Sequence, residues 1–157
     1  MKLLFIGKRF NTNRDALLEK FGRNYQFPLH LAQRHSVTLW LVDYHSKTTI
    51  PCSDGPLTIT STPVKNLAVF KHDLLGTYQT TQPIDMVIAS GDCYIALMAQ
   101  RIAKKLRAKF IFDVYDKYDE FGGYIKPLGF DLFGHLLKTA DMRLFASHAL
   151  LHSLGQP

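Results

Sequence analysis

A chain of 157 residues is long enough for one domain with a substantial core and too short for two. Apolar residues make up 46% and charged residues 20%, a balance that excludes a disordered, collagenous or disulfide-dense chain. Nineteen Lys and Arg against thirteen Asp and Glu leave a formal charge of +6, which suits an anionic partner without naming one.

No apolar run approaches the roughly 20 residues of a bilayer span. The opening MKLLFIGKRF lacks a small-residue cleavage site, so it does not read as a signal peptide. Cys52 and Cys93 stand in unrelated contexts and suggest neither a disulfide framework nor a metal site. A reduced, cytoplasmic protein is the expectation.

Lys2 to Gly7 is almost fully apolar, as expected of a strand buried on both faces in the middle of a parallel sheet. Phe10 to Asn24 is polar and basic and reads as a long loop with one short helix in DALLEKF. A helix follows from about Tyr25 to His35, with Asn24 as cap, Pro28 near the first turn, and Phe27, Leu31 and Ala32 as the buried stripe. Ser36 to Val42 is a second strand whose largest packing residue is Trp40. Asp43 to Pro56 reads as a polar connection, Leu57 to Thr60 as a short edge strand, and Leu67 to Tyr78 as a helix loosened at Gly76.

The clearest unit follows. Ile84 to Ala89 is a short β-branched run, and Ser90-Gly91-Asp92 breaks it and can cap a helix. Ile95, Met98, Ala99, Ile102 and Leu106 then recur at helical spacing, and Lys109 leads into the buried-type strand FIFDVY. Strand, helix and strand within about 30 residues make a βαβ unit with a right-handed crossover. A helix over about Leu128 to Thr139, a strand RLFA and a last helix HALLHSL capped by Ser147 complete the chain.

About six strands alternating with helices predict a doubly wound, mostly parallel, Rossmann-like sheet in a three-layer α/β/α domain spanning residues 1–157. In the usual order 3-2-1-4-5-6, the first strand and the Ile84 strand meet at the switch point, where a ligand is expected. Their carboxyl ends carry Gly7-Lys8 and Ser90-Gly91-Asp92.

Gly7 is not part of a G-x-G-x-x-G run, and no P-loop is present, which argues against the usual dinucleotide and nucleoside-triphosphate enzymes. Asp113, Asp116, Asp119 and Glu120 crowd one loop and read either as an acid/base or divalent-metal site or as a polar loop plus one held strand carboxylate. On an extended chain Asp113 and Tyr115 share a face and Asp116 points away, which argues against convergence on a metal. His148 and His152 share a helix face but lack a third ligand and read as surface histidines. No G-x-S-x-G elbow supports an esterase. Arg101, Lys104, Lys105, Arg107 and Lys109 cluster toward a helix end, where cations complement the macrodipole. Attraction to an anionic membrane surface is the functional alternative, and no motif points to nucleic acid.

Three runs, FGRNYQFPLHLAQRHSVTLW, IASGDCYIALMAQRIAKKLRAKFIFDVYDKYDEF and KTADMRLFASHALLHSLGQP, follow one another in the order and spacing of a known domain. They resemble the N-terminal, acceptor-side domain of GT-B fold glycosyltransferases of the group 1, or family 4, type. The resemblance covers most of the chain and is weakest from Asp43 to Gln82. It implies transfer of a sugar from a nucleotide-sugar donor to a hydroxyl of a glycan or lipid-linked acceptor, with no cofactor and no metal.

By position, the resemblance places Gly22 in the glycine loop beneath the donor phosphates, with Arg23 where a second glycine is common. It places Ser90, Gly91 and Asp92 at the turn lining the acceptor cleft. Tyr115 stands where many members carry a histidine near the reacting sugar, and Asp116 and Glu120 match the acidic positions after it. Tyr115 and Asp116 are thus the catalytic candidates, while Gly7, Gly22, Arg23, Ser90, Gly91, Asp92, Lys117 and Glu120 are the substrate-binding ones. The donor domain with its pair of glutamates has no counterpart in these 157 residues. The expectation is an N-terminal half that does not catalyse transfer alone and needs a C-terminal donor domain or a partner chain. The rival expectation is a stand-alone Rossmann-like binding or partner subunit with no activity of its own.

Overall fold

The computed structural model describes residues 1–66, 83–122, 124, 126 and 129–154. Its centre is β1 (Lys2–Lys8), whose residues from Leu3 to Gly7 are all buried. Side chains alternate across a strand. Leu4 and Ile6 therefore enter one core cluster and Leu3 and Phe5 the other, one on each face of the sheet. Such a strand has no polar face to offer solvent, which is why it sits in the interior.

On one side β1 pairs in parallel with β4 (Ser36–Asp43), which pairs with β6 (Leu57–Pro63). On the other it pairs with β7 (Met86–Ser90), followed by β8 (Lys109–Val114) and β9 (Met142–Phe145). These six parallel strands have the expected 3-2-1-4-5-6 order, and β5 (Ile50–Asp54) adds an antiparallel strand outside β6. Helix α1 (Arg23–Ala32) packs on one face, and α2 (Cys93–Leu106) and α3 (Leu132–Thr139) pack on the other. A short α4 (His148–Leu154) follows β9. The fold is a Rossmann-like three-layer α/β/α sheet. Among the described residues, no helix is long and apolar enough to cross a membrane, and both cysteines are free.

Several local expectations are corrected. DALLEKF is not a helix: β2 (Phe10–Asn11) and β3 (Arg14–Asp15) form a small hairpin, and turns follow it. Thr12 and Asn13 have φ of 46° and 63°, the left-handed pair that a two-residue primed hairpin turn requires. Helix α1 begins at Arg23 with Gly22 as its N-cap and no side-chain cap. Asn24, expected as the cap, lies inside the helix and turns inward to donate to the Lys8 carbonyl at 2.9 Å. The buried stripe is accordingly Asn24, Tyr25, Pro28 and Ala32, with Phe27 and Leu31 only half-buried.

The polar connection contains β5, so the Leu57 strand is an interior strand and not the edge. Helix α3 starts at Leu132, where the Asp131 side chain accepts from the Gly134 amide at 3.2 Å. The expected start at Leu128 and the expected helix over Leu67 to Tyr78 lie outside the described residues. Ser147 caps α4 as expected, accepting from the Leu150 amide at 3.2 Å.

The hairpin is fastened by a buried ionic knot. Arg9 is 3% exposed and donates to Asp15 at 2.7 Å and to Asp43 at 2.8 Å. Burial works against the ionised Asp15 carboxyl, but the bonds from Arg9 and from the Leu18 and Leu17 amides outweigh it and hold its pKa low. Asp43 is lowered in the same way, against burial, by Ser46, the His45 amide and Arg9. Removing one member strands a buried charge, so Arg9→Met should lower stability to urea by about 3–5 kcal/mol. Both folded-state values lie below those of the unfolded chain, so this contribution is complete above the unfolded value and is lost as pH falls through the folded one. Wild-type urea midpoints should therefore drop as pH falls below about 4, and the variant should lose less as it does.

Candidate functional site

The strand order reverses between β1 and β7, and the crevice expected at such a switch point lies outside their carboxyl ends. Three turns converge there. The first leaves β1 at Lys8, the second is Ser90-Gly91-Asp92 after β7, and the third follows β8 from Tyr115.

Gly91 is required by both conformation and space. Its φ is +129°, and a Cβ built there would lie 3.0 Å from Lys8 Cβ and 3.1 Å from the Lys8 backbone nitrogen. Gly7 is also tight, because a Cβ would meet Asn24 Cγ at 3.2 Å, which lets α1 pack against the end of β1. Gly22 has φ +79° with open space around it, so its role is the turn into α1.

Asp92 caps α2, its Oδ1 accepting from the Ile95 amide at 2.8 Å. Its Oδ2 accepts from the Tyr44 hydroxyl at 3.2 Å. The Lys8 ammonium stands 5.4 Å from the Tyr44 ring centroid, within cation–π range. Lys8, Tyr44 and Asp92 thus bridge the ends of β1, β4 and β7 along the rim.

Below the rim, Asp113 is fully buried at the end of β8. It accepts from Arg23 Nη2 at 2.7 Å, from Arg23 Nε at 2.8 Å and from Ser90 Oγ at 2.8 Å. These bonds join the loop that opens α1 to the turn after β7. Hydrogen bonds to Asp113 raise the Arg23 pKa. Ser90 is a buried partner of Asp113, not an exposed nucleophile.

Tyr115, the first residue after β8, donates to Asn11 Oδ1 of the hairpin at 3.1 Å. Burial, followed by the charges of Asp116, Asp92 and Asp113, pushes its phenol up to about 12. Near neutral pH it is therefore a hydrogen-bonding group and not a base. Asp116 is exposed and accepts from the Lys117 amide at 2.9 Å. Lys117 reaches forward to Glu120 at 3.2 Å. The structure thus groups Gly7, Gly22, Arg23, Ser90, Gly91, Asp92 and Tyr115 around the crevice. It leaves Asp116, Lys117 and Glu120 on the outer shoulder of the same loop. Among the described residues, no three His, Cys, Asp or Glu side chains are grouped to hold a metal ion, and His148 and His152 are exposed on α4.

A small aromatic pocket of about 180 Å³ opens beside Asp92, walled by Tyr94, Tyr118, Phe121 and Tyr124. Two buried atoms without a hydrogen-bond partner flank the crevice, Asn24 Oδ1 and the Tyr118 hydroxyl. Burial is the main cause that raises the Tyr118 pKa. Sequence reasoning missed Tyr44 and Asn11. Each lies in a segment read as irregular, and only the signal that strand ends carry ligand residues could have picked out Tyr44, next to Asp43. Compared with protein-family models and with curated proteins, the chain matches none.

The two roles of the turn can be separated by substitution. Asp92→Ala should lower stability by about 0.5–2 kcal/mol through loss of the cap, while Asp92→Asn, which can still cap, should stay within a few tenths. Gly91→Ala should be worse, by roughly 1–3 kcal/mol, because the backbone conformation itself is penalised. Thermal melts of the three variants test this ranking.

Proposed function

We propose that this chain is the acceptor-side domain of a cytoplasmic GT-B type glycosyltransferase. The observation that carries the reading is the linkage Arg23–Asp113–Ser90. Through it, the loop at Gly22 and the turn at Ser90-Gly91-Asp92, which the resemblance assigns to donor and acceptor, are held as one unit on either side of the switch-point crevice. Asp92 keeps one carboxylate oxygen at the rim, beside an aromatic wall. A carboxylate that accepts from hydroxyls next to aromatic faces is a chemistry suited to a sugar ring or glycoside.

In this reading, Tyr115 lines the acceptor side and donates hydrogen bonds without acting as a base. Asp116 and Glu120 on the outer shoulder face a donor domain supplied by further sequence or by a partner chain. Nucleotide-sugar recognition then belongs mostly to that second domain. A stand-alone binding subunit is the alternative, favoured by the lack of a neutral-pH base at position 115.

The test is an amide-resonance titration of the chain with sub-micellar octyl glucoside, and separately with UDP-glucose and GDP-mannose. The glycoside should shift Gly91, Asp92 and Tyr115, and Asp92→Asn should abolish those shifts while leaving the fold intact. Tight nucleotide-sugar binding with sugar transfer by this chain alone would sink the division of labour. Absence of glycoside shifts at the crevice would remove the acceptor site.

A further inference from the structure

Away from the crevice, α2 and α3 enclose a groove of about 750 Å³. Its floor is aliphatic, formed by Leu97, Ala103, Ala108 and Leu132. Two large aromatics border it, Tyr94 at 46% and Phe130 at 51% exposure. Arg101 and Lys104 line it as well; both are exposed, and among the described residues neither has a carboxylate partner. Lys105 and Arg107 are exposed farther along the same helix.

Complementing the helix dipole accounts for cations in the last turn, Lys104 and Lys105. It does not account for Arg101 one turn earlier, nor for the aromatics beside it. Exposed aromatics next to unpaired Lys and Arg, above an apolar floor, match the three layers of a membrane surface. The cations meet headgroup phosphates, the aromatic rings lie at the headgroup level, and the half-buried Leu97 and Ala108 of the floor meet the upper acyl chain.

A single-stranded nucleic acid also uses cations and rings, but its bases stack on ring faces, and an aliphatic floor offers them nothing comparable. We therefore infer that the α2–α3 face docks on an anionic lipid bilayer. Tyr94 borders both this groove and the aromatic pocket beside Asp92, so a docked molecule holds its crevice close to the lipid surface. The inference does not depend on the glycosyltransferase reading.

The experiment is co-sedimentation of the chain with phosphatidylcholine vesicles and with phosphatidylcholine–phosphatidylglycerol vesicles, at low and physiological salt. Binding should require the anionic lipid and weaken with salt. Arg101→Gln/Lys104→Gln should lower the partition coefficient by about 25-fold, roughly five-fold per charge, and Phe130→Ser should lower it several-fold. Neither variant should alter the glycoside titration of the crevice, so failure here is distinguishable from failure there. The inference is overturned if the anionic vesicles do not bind at low salt, or if the double variant binds as wild type does. It is also overturned if single-stranded oligo-dT binds as tightly as the vesicles while Phe130→Ser leaves vesicle binding unchanged.

Discussion

A carboxylate with no exposure to solvent must be surrounded by donors, and Asp113 imposes that constraint on everything around it. It lies at the end of β8, in the half of the sheet remote from α1, yet its strongest partner is the first residue of α1. Ser90, at the end of β7, supplies the remaining bond. The entry of α1, the turn into α2 and the start of the loop after β8 are therefore placed by one ion. Gly22 lets the chain swing into position for Arg23, and Gly91 lets the turn after Ser90 pass over Lys8 without a clash. The glycines are the geometric counterpart of the charge.

The rim above this ion consists largely of tyrosines. Tyr44, Tyr115 and Tyr118 all carry raised pKa values, through burial first; next come neighbouring carboxylates for Tyr44 and Tyr115, and Tyr115 itself for Tyr118. Phenols beside Asp92 and Lys8 give a surface rich in hydroxyl and ring faces. Such a surface discriminates by shape and hydrogen bonding more than by charge. The groove between α2 and α3 has a different character, with the exposed cations Arg101 and Lys104 in its lining.

The parallel sheet was legible because each strand of the βαβ unit, and β1 itself, carries enough apolar residues to bury two faces. The order of the six parallel strands followed from topology rules that need no side-chain detail. What failed were places where one residue answers to a distant partner. Asn24 looks like a cap by local chemistry, but the Lys8 carbonyl, brought close by tertiary packing, claims its side chain. Asp15 looks like the start of a helix, and it does accept from the Leu17 and Leu18 amides, but Arg9 fixes it to the end of β1 and the chain leaves the helical path. β5 is hidden in the sequence because IPCSD has a proline and only one large apolar residue, and it becomes a strand only because β6 offers an edge. At the site, Arg23, Ser90 and Asp113 are brought together from three segments, while Asp116, Lys117 and Glu120 stay on the outer shoulder of the loop. The Tyr44–Asp92 contact, between residues far apart in sequence, left no trace in either segment.

That same β5 settles how one side of the sheet meets other molecules. A bare β6 would present a long row of unpaired amides and carbonyls, the template on which strands of another chain add. β5 takes those bonds and ends the ladder with a poorer one. It has only five residues, its middle three are exposed, and Pro51 has no amide hydrogen to give. Tyr25 and Lys20 hold its last residue, Asp54, at 2.6 and 3.1 Å, so it is fastened to the domain instead of trailing from it. An irregular-looking stretch of sequence thus serves as a hem that keeps the sheet from growing by one molecule joining the next.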